Sequence, residues 1–230
     1  MRFNLEVLQR QLLRLDNLEN DADLERRVVG LDWPKEAETM IGVKRLANIQ
    51  YCIEQIIKDE IKGDVIECGV WRGGATIFMK AVLNEYKDQR KVFVADSFNG
   101  FPSNLRYEYD RMAEFLDEPI LKVSKEEVQK NFEKYGVLDD RVEFVEGYFS
   151  ESLVGFTNRL ALLRVDCDLF ESVMDVLENL YNNVEQGGFV IIDDFGQIEQ
   201  CQVAVHMFRI KHKIVAKIEQ IDYAGIYWRK

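Results

Sequence analysis

Residues 64–87 read "DVIECGVWRGGATIFMKAVLNEYK". The first seven, "DVIECGV", form a short apolar run of strand length. A glycine-rich turn follows, and then a helical stretch, "ATIFMKAVLNEYK". Immediately downstream, "KVFVAD" (91–96) reads as a second strand. Strand, tight turn, helix and strand make a βαβ unit, whose two strands lie parallel with the helix crossing on one face.

The same alternation continues towards the C-terminus. After a polar and aromatic stretch, "SFNGFPSNLRYEYDRMAEFLDEP", comes the helical "SKEEVQKNFEKYG", with Ser124 and Glu127 at capping-box spacing and Gly136 as its stop. "RVEFVEGYF" is a third strand, "LALLRVD" (160–166) a fourth and "GFVIID" a fifth, with the helix "ESVMDVLENLYNNV" between the last two. A helix through "CQVAVHMFRIKH" and two strand-like runs, "KIVAKIEQI" and "AGIYWRK", close the chain. The pattern predicts a mostly parallel α/β sheet with helices on both faces, since βαβ crossovers are right-handed. Leucines 5, 8, 12 and 15 fall on one face of an N-terminal helix, which packs either on its own domain or on a second subunit. Residues 1–60 thus read as a helical extension or lid, and 61–230 as the catalytic-type domain.

The chain has 230 residues, enough for one large α/β domain. Its apolar runs stop at five or six residues, too short to span a bilayer, and the N-terminus lacks an apolar signal region. The net charge of −11 argues against binding nucleic acid through its phosphates. Cys52, Cys68, Cys167 and Cys201 form no CxxC pair and have no histidine at zinc-ligand spacing, as in a reduced, cytoplasmic protein. His206 and His212 lie six apart on one helix, which is not a same-face ligand spacing.

Ligands of parallel sheets bind at the C-terminal edge of the strands. The residues ending these strands are acidic: Glu67, Asp96, Asp166 with Asp168, and Asp193 with Asp194. No lysine or arginine follows them immediately. The first loop, "IECGVWRGGAT", is neither a G-x-G-x-x-G nor a Walker loop, and Glu67 before its turn suits a ligand carrying positive charge rather than a pyrophosphate. S-adenosylmethionine, with a sulfonium and an ammonium, is such a ligand. Asp96 stands where an acid accepts hydrogen bonds from ribose hydroxyls, which serves NAD and S-adenosylmethionine alike. On neighbouring strands, "DCD" and "DD" gather Asp166, Asp168, Asp193 and Asp194 into one small volume. Carboxylates that crowded require a cation. An all-oxygen set favours a hard one, Mg²⁺ before Ca²⁺ or Mn²⁺.

Read together, "GDVIECGVWRGGAT", "VFVADSFNGFP", "EEVQKNFEKYGVLDDRVEFVEGYFSESL", "LALLRVDCDLFESVMDVLENLY", "GGFVIIDDFG" and "GIYWRK" resemble the macrocin O-methyltransferase family, from about residue 38 to the C-terminus. The resemblance implies a class I methyltransferase, Rossmann-like fold with a seven-stranded sheet, S-adenosylmethionine as donor and Mg²⁺ as cofactor. It implies that Asp166, Asp193 and Asp194 hold the metal and that Asp168 is the general base. Glu67, Gly69, Trp71, Ala75, Asp96 and Ser97 would line the cofactor site, which Asp166 also borders. Tyr148 and Phe149 would lie by the adenine, with Met40 covering the cofactor. Cys167 stands where the family more often has glycine, and Phe170 where it has tyrosine.

Three aspartates leave about three of six positions around an octahedral Mg²⁺, room for two adjacent hydroxyls and a water. The expected acceptor is therefore a small molecule with a vicinal diol, on the sugar of a glycosylated natural product or on a catechol-like ring. The D-x-D motif alone also fits a metal-dependent glycosyltransferase, and the fold alone fits a non-catalytic binding protein. A homo-oligomer, most simply a dimer, is expected. Residues 102–119 fall where substrate-covering loops vary.

Overall fold

The computed structural model describes residues 4–18 and 20–230. Seven strands form one sheet: β1 (Asp64–Cys68), β2 (Val92–Asp96), β3 (Val142–Glu146), β4 (Leu160–Val165), β5 (Val184–Ile192), β6 (Glu219–Gln220) and β7 (Ile226–Arg229). Their order is β3-β2-β1-β4-β5-β7-β6. The first five are parallel, and β7 runs antiparallel between β5 and β6. This is the mostly parallel, seven-stranded class I methyltransferase arrangement that the βαβ pattern and the resemblance imply.

Successive residues of a strand point to opposite faces, and here both faces are buried. Val65, Val94 and Leu162 enter one core, together with α3 (Gly42–Lys58), α4 (Gly74–Glu85) and α5 (Lys125–Lys134). Ile66, Phe93 and Leu163 enter the other, with α7 (Phe170–Leu180) and α8 (Glu199–Lys211). Among the described residues, no helix is long and apolar enough to cross a membrane.

The N-terminal leucines resolve in favour of their own domain. Helix α1 (Leu5–Leu12) ends as Arg14 enters the left-handed region, and Leu15 opens a 3-10 turn. Leu8, Leu12 and Leu15 are nevertheless all buried in the core shared with α3 and α4. Helix α2 (Asp21–Val29) is capped by Asn20 and stopped by Gly30 at φ +73°. Ser124 caps α5 as its spacing predicts, accepting from the Glu127 N–H at 3.2 Å.

Two strand expectations are shortened. "KIVAKIEQI" pairs only at Glu219–Gln220, because it lies at the sheet edge with β7 as its one neighbour and Val215 turned fully to solvent. The third strand stops at Glu146, and Tyr148 and Phe149 begin the short helix α6 (Phe149–Ser152) instead.

Candidate active site

The chain order reverses between β1 and β4, and the strands' C-terminal ends open there into a cavity of about 640 Å³. The sheet register carries on past the strand ends. The Gly69 N–H donates to the Ala95 carbonyl, Asp166 to Cys68 and Asp193 to Val165, each at 2.9 Å. Asp166 and Asp193 are therefore set side by side, and one carboxylate oxygen from each, with one from Asp194, lie within 4.8 Å of one another. Every residue expected at the site from the sequence lines this cavity, from Met40 through Asp194.

The donor end is built by the β1–α4 loop. At Gly69, φ is +84°, and a Cβ would sit 1.7 Å from the Asp166 carbonyl oxygen. Only glycine lets these two loops pass so closely. Asp96 fixes the loop from the next strand, its two carboxylate oxygens accepting from the N–H groups of Val70 (2.8 Å) and Phe98 (2.9 Å). The Ser97 hydroxyl lies 3.5 Å from the oxygen that meets Phe98. Trp71 ties this loop to the variable segment by donating its indole N–H to the Ile120 carbonyl at 2.7 Å.

Glu67 is more committed than its sequence position suggests. It is fully buried, and its two oxygens accept from the Arg164 guanidinium and the Thr76 hydroxyl. Burial pushes its carboxyl up to about 7, against the pull of Arg164. It lines the cavity as a held charge rather than a free one.

Two arginines that strand-end reasoning passes over sit within the acidic cluster. Arg164, fully buried on β4, donates to Glu67, Asp166 (2.7 Å) and Asp193. Arg45, from α3, donates to the other oxygen of Asp193 and to Asp222 at 3.1 Å. Burial opposes the charge of both guanidiniums, but the surrounding carboxylates hold both above the usual arginine range. The expectation of acids without a basic partner is thus corrected: the partners come from two residues earlier in the strand and from a distant helix. Arg164 had a sequence signal, a lone charge inside the apolar "LALLRVD"; Arg45 had none.

Carboxylates still outnumber guanidiniums, and the surplus faces the cavity. The buried Asp194 Oδ2 has no hydrogen-bond partner. Burial and the neighbouring Asp168 and Asp166 push its carboxyl well up. Asp168 occupies a tight three-residue turn, closed by the Leu169 N–H on the Cys167 carbonyl at 2.6 Å, with φ +60° at the aspartate itself. Aspartate tolerates this left-handed conformation better than most side chains. No group among the described residues hydrogen-bonds its carboxylate. Removal from water, then Asp166 and Asp193, push it up to about 8. An unpartnered buried oxygen, converging carboxylates and an all-oxygen donor set fit a hard divalent cation.

The remaining walls come from outside the sheet. Asp110, fully buried, accepts from the Phe170 (2.7 Å) and Glu171 (2.9 Å) N–H groups and so caps α7. The segment before α3 runs across the mouth: the Gly74 N–H donates to the Glu38 carbonyl at 2.8 Å, and Arg72 binds the carbonyls of Pro34, Lys35 and Ala37. His206 and His212 play no part; His212 pairs with Glu178 on the far surface. All four cysteines are buried free thiols, Cys167 alone reaching the cavity.

A class I methyltransferase sheet with an acidic cluster at its switch point defines the class of protein. Residues 3–230 match the model of the macrocin-O-methyltransferase (TylF) family, and the chain belongs to that family. It is 46% identical over 216 residues to the 8-demethyl-8-(2,3-dimethoxy-alpha-L-rhamnosyl)-tetracenomycin-C 4'-O-methyltransferase of Streptomyces olivaceus, covering 92% of this chain and 82% of that protein. It is 45% identical to the mycinamicin III 3''-O-methyltransferase of Micromonospora griseorubida, covering 90% and 84%. Among solved structures, the O-methyltransferase NovP superposes with a TM-score of 0.92 at 40% identity, covering 98% of this chain and 97% of that one. The chain is an O-methyltransferase.

Proposed function

We propose that this enzyme transfers a methyl group from S-adenosylmethionine to one hydroxyl of a vicinal diol, on a sugar of a glycosylated natural product, with Mg²⁺ at Asp166, Asp193 and Asp194. The observation that carries the reading is the convergence of those three carboxylates beside a donor loop whose glycine and acid, Gly69 and Asp96, are both fixed by the sheet. The sugar acceptor follows from the names of the relatives, which act on rhamnosyl tetracenomycin and on mycinamicin.

In this reading, Asp96 receives the ribose hydroxyls, Tyr148 and Phe149 flank the adenine, and Met40 covers the donor from the N-terminal side, with Trp71, Ala75 and Ser97 completing its pocket. When bound, Mg²⁺ lowers the pKa of an attached hydroxyl, as such ions do for water. Asp168, unpartnered and aimed into the cavity by its turn, takes the proton from the attacking oxygen. The cavity walls would position the acceptor against the donor, and positioning of this kind is worth at most about 7–11 kcal/mol. Residues 30–41 of the helical extension close the mouth.

The test is turnover of a panel of glycosides and catechols with labelled S-adenosylmethionine, with and without Mg²⁺. Methylation of glycosides bearing a vicinal diol supports the reading. Methylation of catechols alone would replace the sugar with an aromatic diol, and turnover unaffected by exhaustive chelation would remove the metal from the mechanism.

A further inference from the structure

The protein has three tryptophans, and two of them are covered by an arginine of the same chain. The Arg72 guanidinium lies 4.4 Å over the ring of Trp71, and that of Arg209 lies 4.9 Å over Trp228. Trp33 is the exception. Among the described residues no ring or cation stacks on it, and 47% of its surface is open although it lines the cavity. Leu31, two residues earlier, also lines the cavity and is 50% open.

The segment that carries both is anchored at each end. At Gly30, the carbonyl accepts from the Tyr223 hydroxyl at 2.5 Å and from Arg45 at 3.4 Å. Beyond Trp33, Arg72 holds the next carbonyls, and Asp32 itself is paired with Arg27 at 2.7 Å. The indole is therefore presented on a fixed span. Arg45 also holds Asp193, so Gly30 lies at the carboxylate end of the cavity, while Arg72 of the donor loop holds the Pro34 carbonyl; Leu31 and Trp33 span the wall between the two ends. The acids nearby are already matched, Asp32 by Arg27 and both Glu171 and Asp175 by Arg106, which leaves the apolar faces of Leu31 and Trp33 as the open surface of this span.

We infer that Trp33, with Leu31, is a platform for the part of the acceptor beyond its sugar, and that it selects an uncharged, apolar ring system there. The inference rests on the proposed sugar acceptor and adds the residue that reads the aglycone. A bare indole on a rigid support offers a large contact area with little ordering cost.

The test compares 2-naphthyl and methyl α-L-rhamnopyranoside, one sugar with and without an apolar ring system, in the full-length enzyme with S-adenosylmethionine and Mg²⁺. For the naphthyl glycoside, Trp33→Ala is expected to raise KM about tenfold with kcat held. Trp33→Phe should restore most of the affinity, and the methyl glycoside should show no such rise. Calorimetry should find the same tenfold loss in binding of the naphthyl glycoside, and no loss for S-adenosylhomocysteine. Equal losses on both glycosides, a weakened S-adenosylhomocysteine complex, or naphthyl binding indifferent to Trp33 would each overturn the platform. Wild-type enzyme that turns over neither glycoside would instead count against the sugar acceptor, while the binding comparison still decides the role of Trp33.

Discussion

Arg45 and Asp193 are 148 residues apart in sequence and form a buried ion pair that joins the N-terminal helices to the end of β5. Arg164 takes the other oxygen of the same carboxylate. Asp193 is thus the point at which the extension, the central strand and the acidic cluster meet, and substitution there should have two effects. Asp193→Asn leaves two buried guanidiniums short of a counter-charge, and removing one partner of a buried pair costs about 3–5 kcal/mol. Urea denaturation of the metal-free protein should show a loss of that order together with abolished turnover. A variant of wild-type stability would mean that Asp222, Glu67 and Asp166 balance the two guanidiniums without Asp193.

Asp194→Asn should separate chemistry from folding. Its Oδ2 is buried and unpartnered, and the surrounding acids already disfavour its charge. A neutral isostere relieves that repulsion, so the metal-free protein should be as stable as wild type or more so. Turnover and stabilisation by Mg²⁺ should both disappear. Retained stabilisation by the ion would remove Asp194 from the ligand set.

Chelation by EDTA should abolish turnover in the wild type, and Mg²⁺ should restore it. A ligand held at a hundred times its Kd adds about 2.7 kcal/mol to stability, so thermal unfolding should shift upward on Mg²⁺ addition without any substrate present.

Gly69→Ala places a methyl group where the Asp166 carbonyl oxygen already stands and forces a left-handed φ on alanine. The two loops must separate, and under the proposed function both donor binding and metal binding depend on their present spacing. Calorimetry should show weaker binding of both S-adenosylhomocysteine and Mg²⁺. An unchanged Kd for either would show that the loops move independently.

Asp96→Ala removes the acceptor that fixes two loop N–H groups and that, in the proposed function, receives the ribose. Charged hydrogen bonds contribute about 1.5–3 kcal/mol each. Loss of one to the ligand should raise the Kd for S-adenosylhomocysteine by roughly 10- to 100-fold, with the Mg²⁺-induced thermal shift retained.

The acids of the site were readable because each stands at the end of an apolar run, where alternation of strands and helices already implies a common edge. The parallel sheet followed from the same pattern, and its seven-stranded arrangement from the family resemblance. What escaped was the positive charge among them. Arg45 lies in a helix whose amphipathic spacing says only that one face is buried, and its partner is set by how that helix docks. Glu67 shows the same limit: its strand-end position is visible, but its engagement by Arg164 and Thr76 is a matter of side-chain packing. At the sheet edge, the isoleucines and valine of 213–221 imitate a strand, yet a strand needs neighbours, and this one has a single short partner.

The segment between β2 and α5 is pinned at several interior points: Arg106 on Glu171 and Asp175, the Tyr109 carbonyl on Gln200, Asp110 on the first turn of α7, and Ile120 on the Trp71 indole. None of these pins belongs to the Asp166, Asp193 and Asp194 cluster. The residues between the pins can therefore be exchanged as a cassette while the carboxylates keep their places, which makes this loop the natural place to transplant from a relative when a different acceptor is wanted.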